Sequence, residues 1–217
     1  MIDQELLDEL WDFGDAEASA ARFATAAADP SFSSDERAEF VTQQARALGL
    51  QERYDEARAL LEGVAESASP AVRTRVALEA GRLRNSAGVP SEAVAHFEDA
   101  ASLAHHADLE FLEIDALHML AIADSGRSEE WSERGIRRAL ESTKPRTQRW
   151  LISLNNNIGW SRLDAGHPES ALDAFREAAG WADRVGTPQQ RVWAQEAIDE
   201  CEAAIATARA TSAGGAV

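Results

Sequence analysis

An all-α fold, built as an array of stacked helical hairpins, is predicted by three observations. A two-helix pattern recurs along the chain: the bulky residues Leu61, Phe97, Ile136 and Phe175 follow one another at intervals of 36, 39 and 39 residues, and Phe23 lies 38 residues before the first. Each sits four residues after a small residue (Ala57, Ala93, Ser132, Ala171) and three before another small or apolar one (Val64, Ala100, Ala139, Ala178). Upstream of each copy a second helix carries a small residue at its centre, Ala45, Gly81, Ala121 and Gly159, then Ala197 in a last, unpaired copy. Finally, the chain is rich in Ala, Leu, Glu and Arg, has only six prolines, and shows no run of alternating β-branched residues, so helix is favoured almost throughout.

The elements follow in order. Periodicity and punctuation place eleven helices, at about 3–11, 15–28, 34–48, 52–66, 70–86, 90–105, 109–125, 128–142, 146–165, 168–185 and 188–209. Ser33-Ser34-Asp35-Glu36 and Thr187-Pro188-Gln189-Gln190 match the capping box, in which the first side chain accepts from an early backbone N–H and the fourth reaches back. Pro188 suits a first helical position. Gly88, Gly126, Gly166 and Gly186 are expected to stop the preceding helices in the left-handed conformation. The tail from 210 to 217, ATSAGGAV from Ala210, is expected to be disordered.

The small–bulky–small spacing, Ile158-Gly159, the turns Gly88-Val89-Pro90 and Gly166-His167-Pro168, and Pro30, Pro70 and Pro188 together resemble the tetratricopeptide repeat. The likeness spans roughly residues 15–209. The repeats run longer than the family's roughly 34 residues, Ser132 stands where Ala is usual, and the aromatic of the first helix is mostly missing. The resemblance implies a right-handed α–α superhelical solenoid of about five hairpins plus a C-terminal capping helix. It would form one domain over 1–209: a degenerate first repeat at 1–30, repeats at about 34–68, 70–106, 109–143 and 146–185, and a capping helix at 188–209.

Charge and motifs narrow the function. A net charge of −17 argues against nucleic acid and anionic membranes as partners, since binding phosphates gains by counterion release and this surface repels them. The acidic start IDQELLDEL is unlike a basic, apolar leader, and no apolar run reaches the roughly 18 residues of a membrane span; a cytoplasmic protein is expected. The single lysine among abundant Arg and Ala points to a GC-rich bacterial genome. The lone Cys201 permits no intramolecular disulfide and is expected in the packing of the last helix. Phosphate-loop, HExxH, paired CxxC, Gly-x-Ser-x-Gly and calcium-loop patterns are absent, and Lys144 is the only amine available, so no catalytic residue, metal or cofactor is predicted. Adjacent His105 and His106 point about 100° apart on a helix and read as a solvated helix end.

What remains is a surface. On the first helix of each hairpin, the residues six and two before the central small residue, and one and five after it, share one face. That stripe reads Glu39, Gln43, Arg46, Leu50; Arg75, Glu79, Arg82, Ser86; Asp115, Met119, Ile122, Gly126; Ser153, Asn157, Trp160, Asp164; and Arg191, Gln195, Ile198, Glu202. Its four arginines face five acids, so it is close to neutral on a strongly acidic chain. The peptide-binding candidates are Gln43, Arg46, Arg75, Arg82, Met119, Asn157, Trp160, Arg191 and Gln195. An amide can both donate to and accept from a peptide backbone, arginines take carboxylates, and Met119, Ile122 and Trp160 offer an apolar floor. The resemblance implies the same, because repeats of this family commonly hold a peptide with an Asn placed as Asn157 is.

These candidates have structural alternatives: Asn157 tying neighbouring hairpins together, Trp160 and Met119 as core between repeats, the arginines pairing with Glu39, Glu79 or other local acids. A scaffold binding a peptide or partner segment is the leading expectation, and on it Arg82 and Asn157 serve binding and not stability. A structural array dimerising through its C-terminal hairpin or helix 188–209, with Val192, Trp193, Ala197, Ile198 and Cys201, is the second, and an enzyme the third.

Overall fold

The computed structural model describes residues 2–214 and the side chains of residues 2–208. It is all-helical, with no strand among the described residues. Where the sequence predicts one array, the chain divides into two compact units, Met1–Ala123 and Asp124–Val217.

The first unit holds α1 (Gln4–Leu10), α2 (Ala16–Ala28), α3 (Ser34–Leu50), α4 (Tyr54–Val64), α5 (Pro70–Ser86), α6 (Pro90–His106) and α7 (Glu110–Ala123). Neighbours in sequence pack together, and α3 also packs on α5 and α5 on α7, which sets the first helices of successive hairpins side by side. The second unit opens with a 3₁₀ turn (Ser125–Arg127) followed by α8 (Ser128–Glu141), α9 (Pro145–Gln148), α10 (Trp150–Asp164), α11 (Pro168–Val185) and α12 (Pro188–Gly214). Here α10 packs on α8, α11 and α12.

The repeated residues explain this packing. Phe97 and Phe175 are wholly buried, and each ring lies on the small residue of the preceding helix. A Cβ at Gly81 would stand 2.5 Å from Phe97 Cε1, and one at Gly159 would run into the Phe175 ring in the same way. Ala45 and Leu61 share a cluster with Ala57, the small residue four before Leu61, and with Ala20 of α2. Cys201 is buried beside Phe175 and Ile205, its thiol 3.2 Å from the Pro168 carbonyl.

Helix ends match the sequence in part. Ser33 and Glu36 form both halves of the predicted capping box, and Thr187 and Gln190 exchange the same pair of bonds at 2.9 and 3.2 Å. Gly88 and Gly166 take φ of +81° and +79°, and the next residue's N–H reaches back to Arg84 and Arg162. Gly126 and Gly186 do not stop helices this way: Gly126 lies in the 3₁₀ turn and Gly186 is extended, at φ −79°. Two acidic residues do so instead. Glu52 (φ 60°) and Asp108 (φ 51°) end α3 and α6 with the same back-bonds, Arg53 to Leu48 and Leu109 to Ala104.

Three further boundaries depart from expectation. The predicted helix 146–165 is broken at Arg149 into α9 and α10. The helix predicted to 125 gives way to the 3₁₀ turn. The last helix continues to Gly214, so residues 210–214 of the expected disordered tail are helical, while 215–217 fall outside the described residues.

Candidate functional site

In the first unit the predicted stripe is filled by its own charges. Glu39 on α3 is fully buried and accepts from Arg75 Nε on α5 at 2.9 Å and from the Ile2 backbone N–H at 3.0 Å. Farther along α5, Arg82 bonds Glu79 on its own helix and Asp115 on α7, both at 2.5 Å. The stripe thus joins α3 to α5 and α5 to α7 through side chains that are themselves mostly buried. Burial opposes the charge on Arg82, but the carboxylates of Asp115 and Glu79 outweigh it and hold the guanidinium above its ordinary value. Burial likewise opposes the charge on Asp115, and Arg82 with Arg46 pulls its carboxyl below the usual range.

Arg46 and Gln43 are engaged differently. Gln43 is 2% exposed and accepts a bond of 3.1 Å from the Trp11 indole. The Arg46 guanidinium lies 5.4 Å from the Trp11 ring and 5.5 Å from that of Phe13, two rings stacked on one another at 4.7 Å. Burial and the neighbouring Arg82 both lower its pKa. Next to this group His118 on α7 is pushed down to about 4, first by burial and then by Arg82 and Arg46, with Asp115 acting the other way. It is neutral at pH 7. Met119 is partly buried, while Ile122 and Leu50 are exposed.

In the second unit the corresponding positions are uncharged along most of α10. Ser153, Asn156 and Asn157 are partly buried and Trp160 is 36% exposed, its ring set edge-on against Phe175 at 4.9 Å. Asn155 turns back to the Leu151 carbonyl at 2.7 Å, which takes it out of the surface chemistry. On α12, Arg191 and Gln195 are exposed and bond within their own stretch of chain, Arg191 to the Gly186 carbonyl and Gln195 to Asp199.

Of the nine predicted residues, then, Gln43, Arg75 and Arg82 make intramolecular contacts with most of their surface withdrawn, and Arg46 is stacked on aromatic rings. Met119 stands beside His118 on α7; Asn157 and Trp160 stand together on α10; Arg191 and Gln195 stand on α12. The alternative reading of the arginines holds for two of them, since Arg75 pairs with Glu39 and Arg82 with Glu79. Sequence reasoning missed Trp11, Phe13 and His118. The first two fall in the degenerate first repeat, ahead of residues 15–209 that carry the pattern; His118 follows Asp115 by three residues on one helix face, which was legible.

The two histidines set aside earlier have separate partners, His105 meeting Glu113 and His106 the Ser102 carbonyl. A cleft of about 470 Å³ lies between α4 and the α5–α6 hairpin, with Leu61, Ala65, Val76, Ala80 and Leu83 in its lining and none of the stripe residues. Among the described residues no helix is long and apolar enough to cross a membrane. No protein-family model matches the chain, and no curated protein matches it.

Proposed function

We propose that this chain is a protein-interaction scaffold, a tetratricopeptide-like right-handed array that receives a peptide or partner segment along the α10 part of its stripe. The observation that carries this reading is the contrast on α10. Asn157 and Trp160 stand one turn apart, an amide beside a partly exposed indole, on a face that holds no charge until Asp164. An amide with both donor and acceptor next to an aromatic platform is suited to an extended backbone with an apolar anchor. The packing of successive helices within each unit and the glycine–phenylalanine contacts at Gly81 and Gly159 support the array reading. We place the protein in the cytoplasm of a bacterium and assign it no enzymatic activity and no cofactor, since its sequence carries none of the phosphate-loop, metal-binding or nucleophile patterns sought above.

A comparative capture tests this. The parent and an Asn157→Ala/Trp160→Ala variant are immobilised and exposed to the same bacterial lysate, and the retained proteins are quantified. A partner held by the parent and lost by the variant supports the reading, and titration calorimetry with that partner should show affinity falling about tenfold or more for Asn157→Ala, the loss of a bond worth roughly 1.5 kcal/mol. Identical retention by both proteins removes the groove. The second reading, self-assembly, rests on Val192 and Trp193, which are 50% and 58% exposed on α12. Sedimentation of a dimer that Trp193→Ala returns to monomer would favour it.

A further inference from the structure

The chain's first residues behave as a ligand of its own stripe. Residues 2–13 carry five acids, Asp3, Glu5, Asp8, Glu9 and Asp12, and no base. Their apolar side chains lie to one side: Ile2 and Leu7 are buried with Phe23 and Phe40, and Leu6, Leu10 and Trp11 pack on that cluster. The segment reaches three successive stripe residues of α3, each with a different chemistry. Its Ile2 N–H donates to Glu39, its Trp11 indole donates to Gln43, and its stacked Trp11–Phe13 pair lies beneath the Arg46 guanidinium. A backbone donor, a side-chain bond and an aromatic anchor are the contacts by which a short peptide is held in a groove.

The segment is attached along its length: Ile2 and Leu7 are buried, and two further bonds hold the end nearest α2. Arg22 of α2 bonds the Leu10 carbonyl at 2.7 Å, and the Ser19 hydroxyl receives the Asp12 N–H at 2.8 Å. These bonds hold the segment where it joins α2. Its helix α1 is seven residues long, short of what stands alone in water, and Phe13 is 66% exposed.

We propose that residues 2–13 are a self-docked strap, and that the α3 part of the stripe takes an acidic amphipathic segment ending in an aromatic pair, so that a partner of this chemistry binds there only by displacing the strap. The partner clause rests on the binding function proposed above; the docking of the strap does not.

The test uses a fluorescently labelled synthetic peptide of residues 2–13, followed by anisotropy against the full-length chain and against a Trp11→Ala/Phe13→Ala variant. A strap that is closed most of the time reduces the apparent affinity for the free peptide by the fraction of open molecules, so the variant should bind about tenfold or more tightly than the parent. Adding Arg46→Ala to that variant should abolish binding. Absence of peptide binding by a variant that still melts cooperatively overturns the proposal, as does equal binding by parent and variant. Should the variant not melt cooperatively, hydrogen exchange on the unmodified protein decides. Amides of α1 exchanging ahead of those of α2 and α3, and faster still with excess unlabelled peptide, support the strap; α1 amides as protected as those of α3 refute it. The peptide reports on α3 alone, so failure here leaves the Asn157–Trp160 reading standing, and failure of that reading leaves this result standing.

Discussion

The stripe on α3, α5 and α7 of the first unit and the stripe on α10 of the second occupy the same positions of the repeated pattern, yet one is a ladder of buried ion pairs and the other carries a serine, an amide and an indole before its first charge at Asp164. In the first, positions on neighbouring helices carry opposite charges: Arg75 against Glu39, Arg82 against Asp115. Helices set side by side bring such residues within bonding distance, and the pairs then exclude water. On α10 the same positions carry Ser153, Asn157 and Trp160, which have no charge with which to draw a neighbour across. The lesson is that a repeat register determines where a side chain points, while the sign of the charge one repeat away determines whether that side chain is drawn into a buried ion pair.

The sharpest way to break the comparison is to remove one member of the ladder. Arg82→Ala leaves Glu79 and Asp115 buried without their cation, and losing one partner of a buried pair costs about 3–5 kcal/mol. This reverses the expectation drawn from sequence, that Arg82 serves binding and is dispensable for stability. Urea denaturation of parent and variant measures it, and a loss below about 1 kcal/mol, the range of an exposed pair, would mean that the ladder does not hold the helices together.

Next come the contacts in which the two units are alike. Gly81→Leu and Gly159→Leu each force a side chain into a phenylalanine ring, and overpacking of this kind costs about 1–3 kcal/mol. The two should lose comparable stability by thermal melting, because Phe97 and Phe175 sit on them in the same way. A variant that melts like the parent would show that its unit does not use this contact.

The register of these hairpins was legible because it rests on volume: Gly81 and Phe97, or Gly159 and Phe175, are a small and a large residue at fixed spacing, and only one packing accommodates both. Capping was legible at Ser33 and Thr187 for a local reason, since both bonds close within four residues. Helix stops were less so. Gly126 and Gly186 have the freedom to turn left-handed and do not use it, whereas Glu52 and Asp108 adopt that conformation without the glycine that eases it. The charges of the stripe were visible, but not the distance between helices that turns Arg75 and Arg82 inward. The strap was invisible, because Trp11 and Phe13 precede the residues in which the small–bulky–small pattern can be read.

A pH titration probes the ladder more gently. His118 has a folded pKa of about 4, below its ordinary 6.5, so the unfolded chain takes up a proton first as the pH falls. The stability this group contributes is therefore whole above about pH 6.5 and is lost progressively as the pH falls through about 4, by roughly 1–3 kcal/mol for a partly buried imidazole. His118→Gln should flatten the pH dependence of urea midpoints across that window. If the variant and the parent fall together, the acid sensitivity comes from groups other than His118.

The smallest effect is expected where the stripe is uncharged. Asn157 lies on α10 among uncharged neighbours and is partly buried, so truncation removes a polar group without stranding a buried charge. Asn157→Ala should therefore change stability by no more than about 1 kcal/mol, the net worth of an ordinary hydrogen bond. The gap between this value and that for Arg82→Ala measures how much more of the fold's stability rests on a buried ion pair than on the Asn157 amide. A loss at Asn157 as large as at Arg82 would show that the amide ties its helix to the next, and the two stripes would then differ in chemistry but not in purpose.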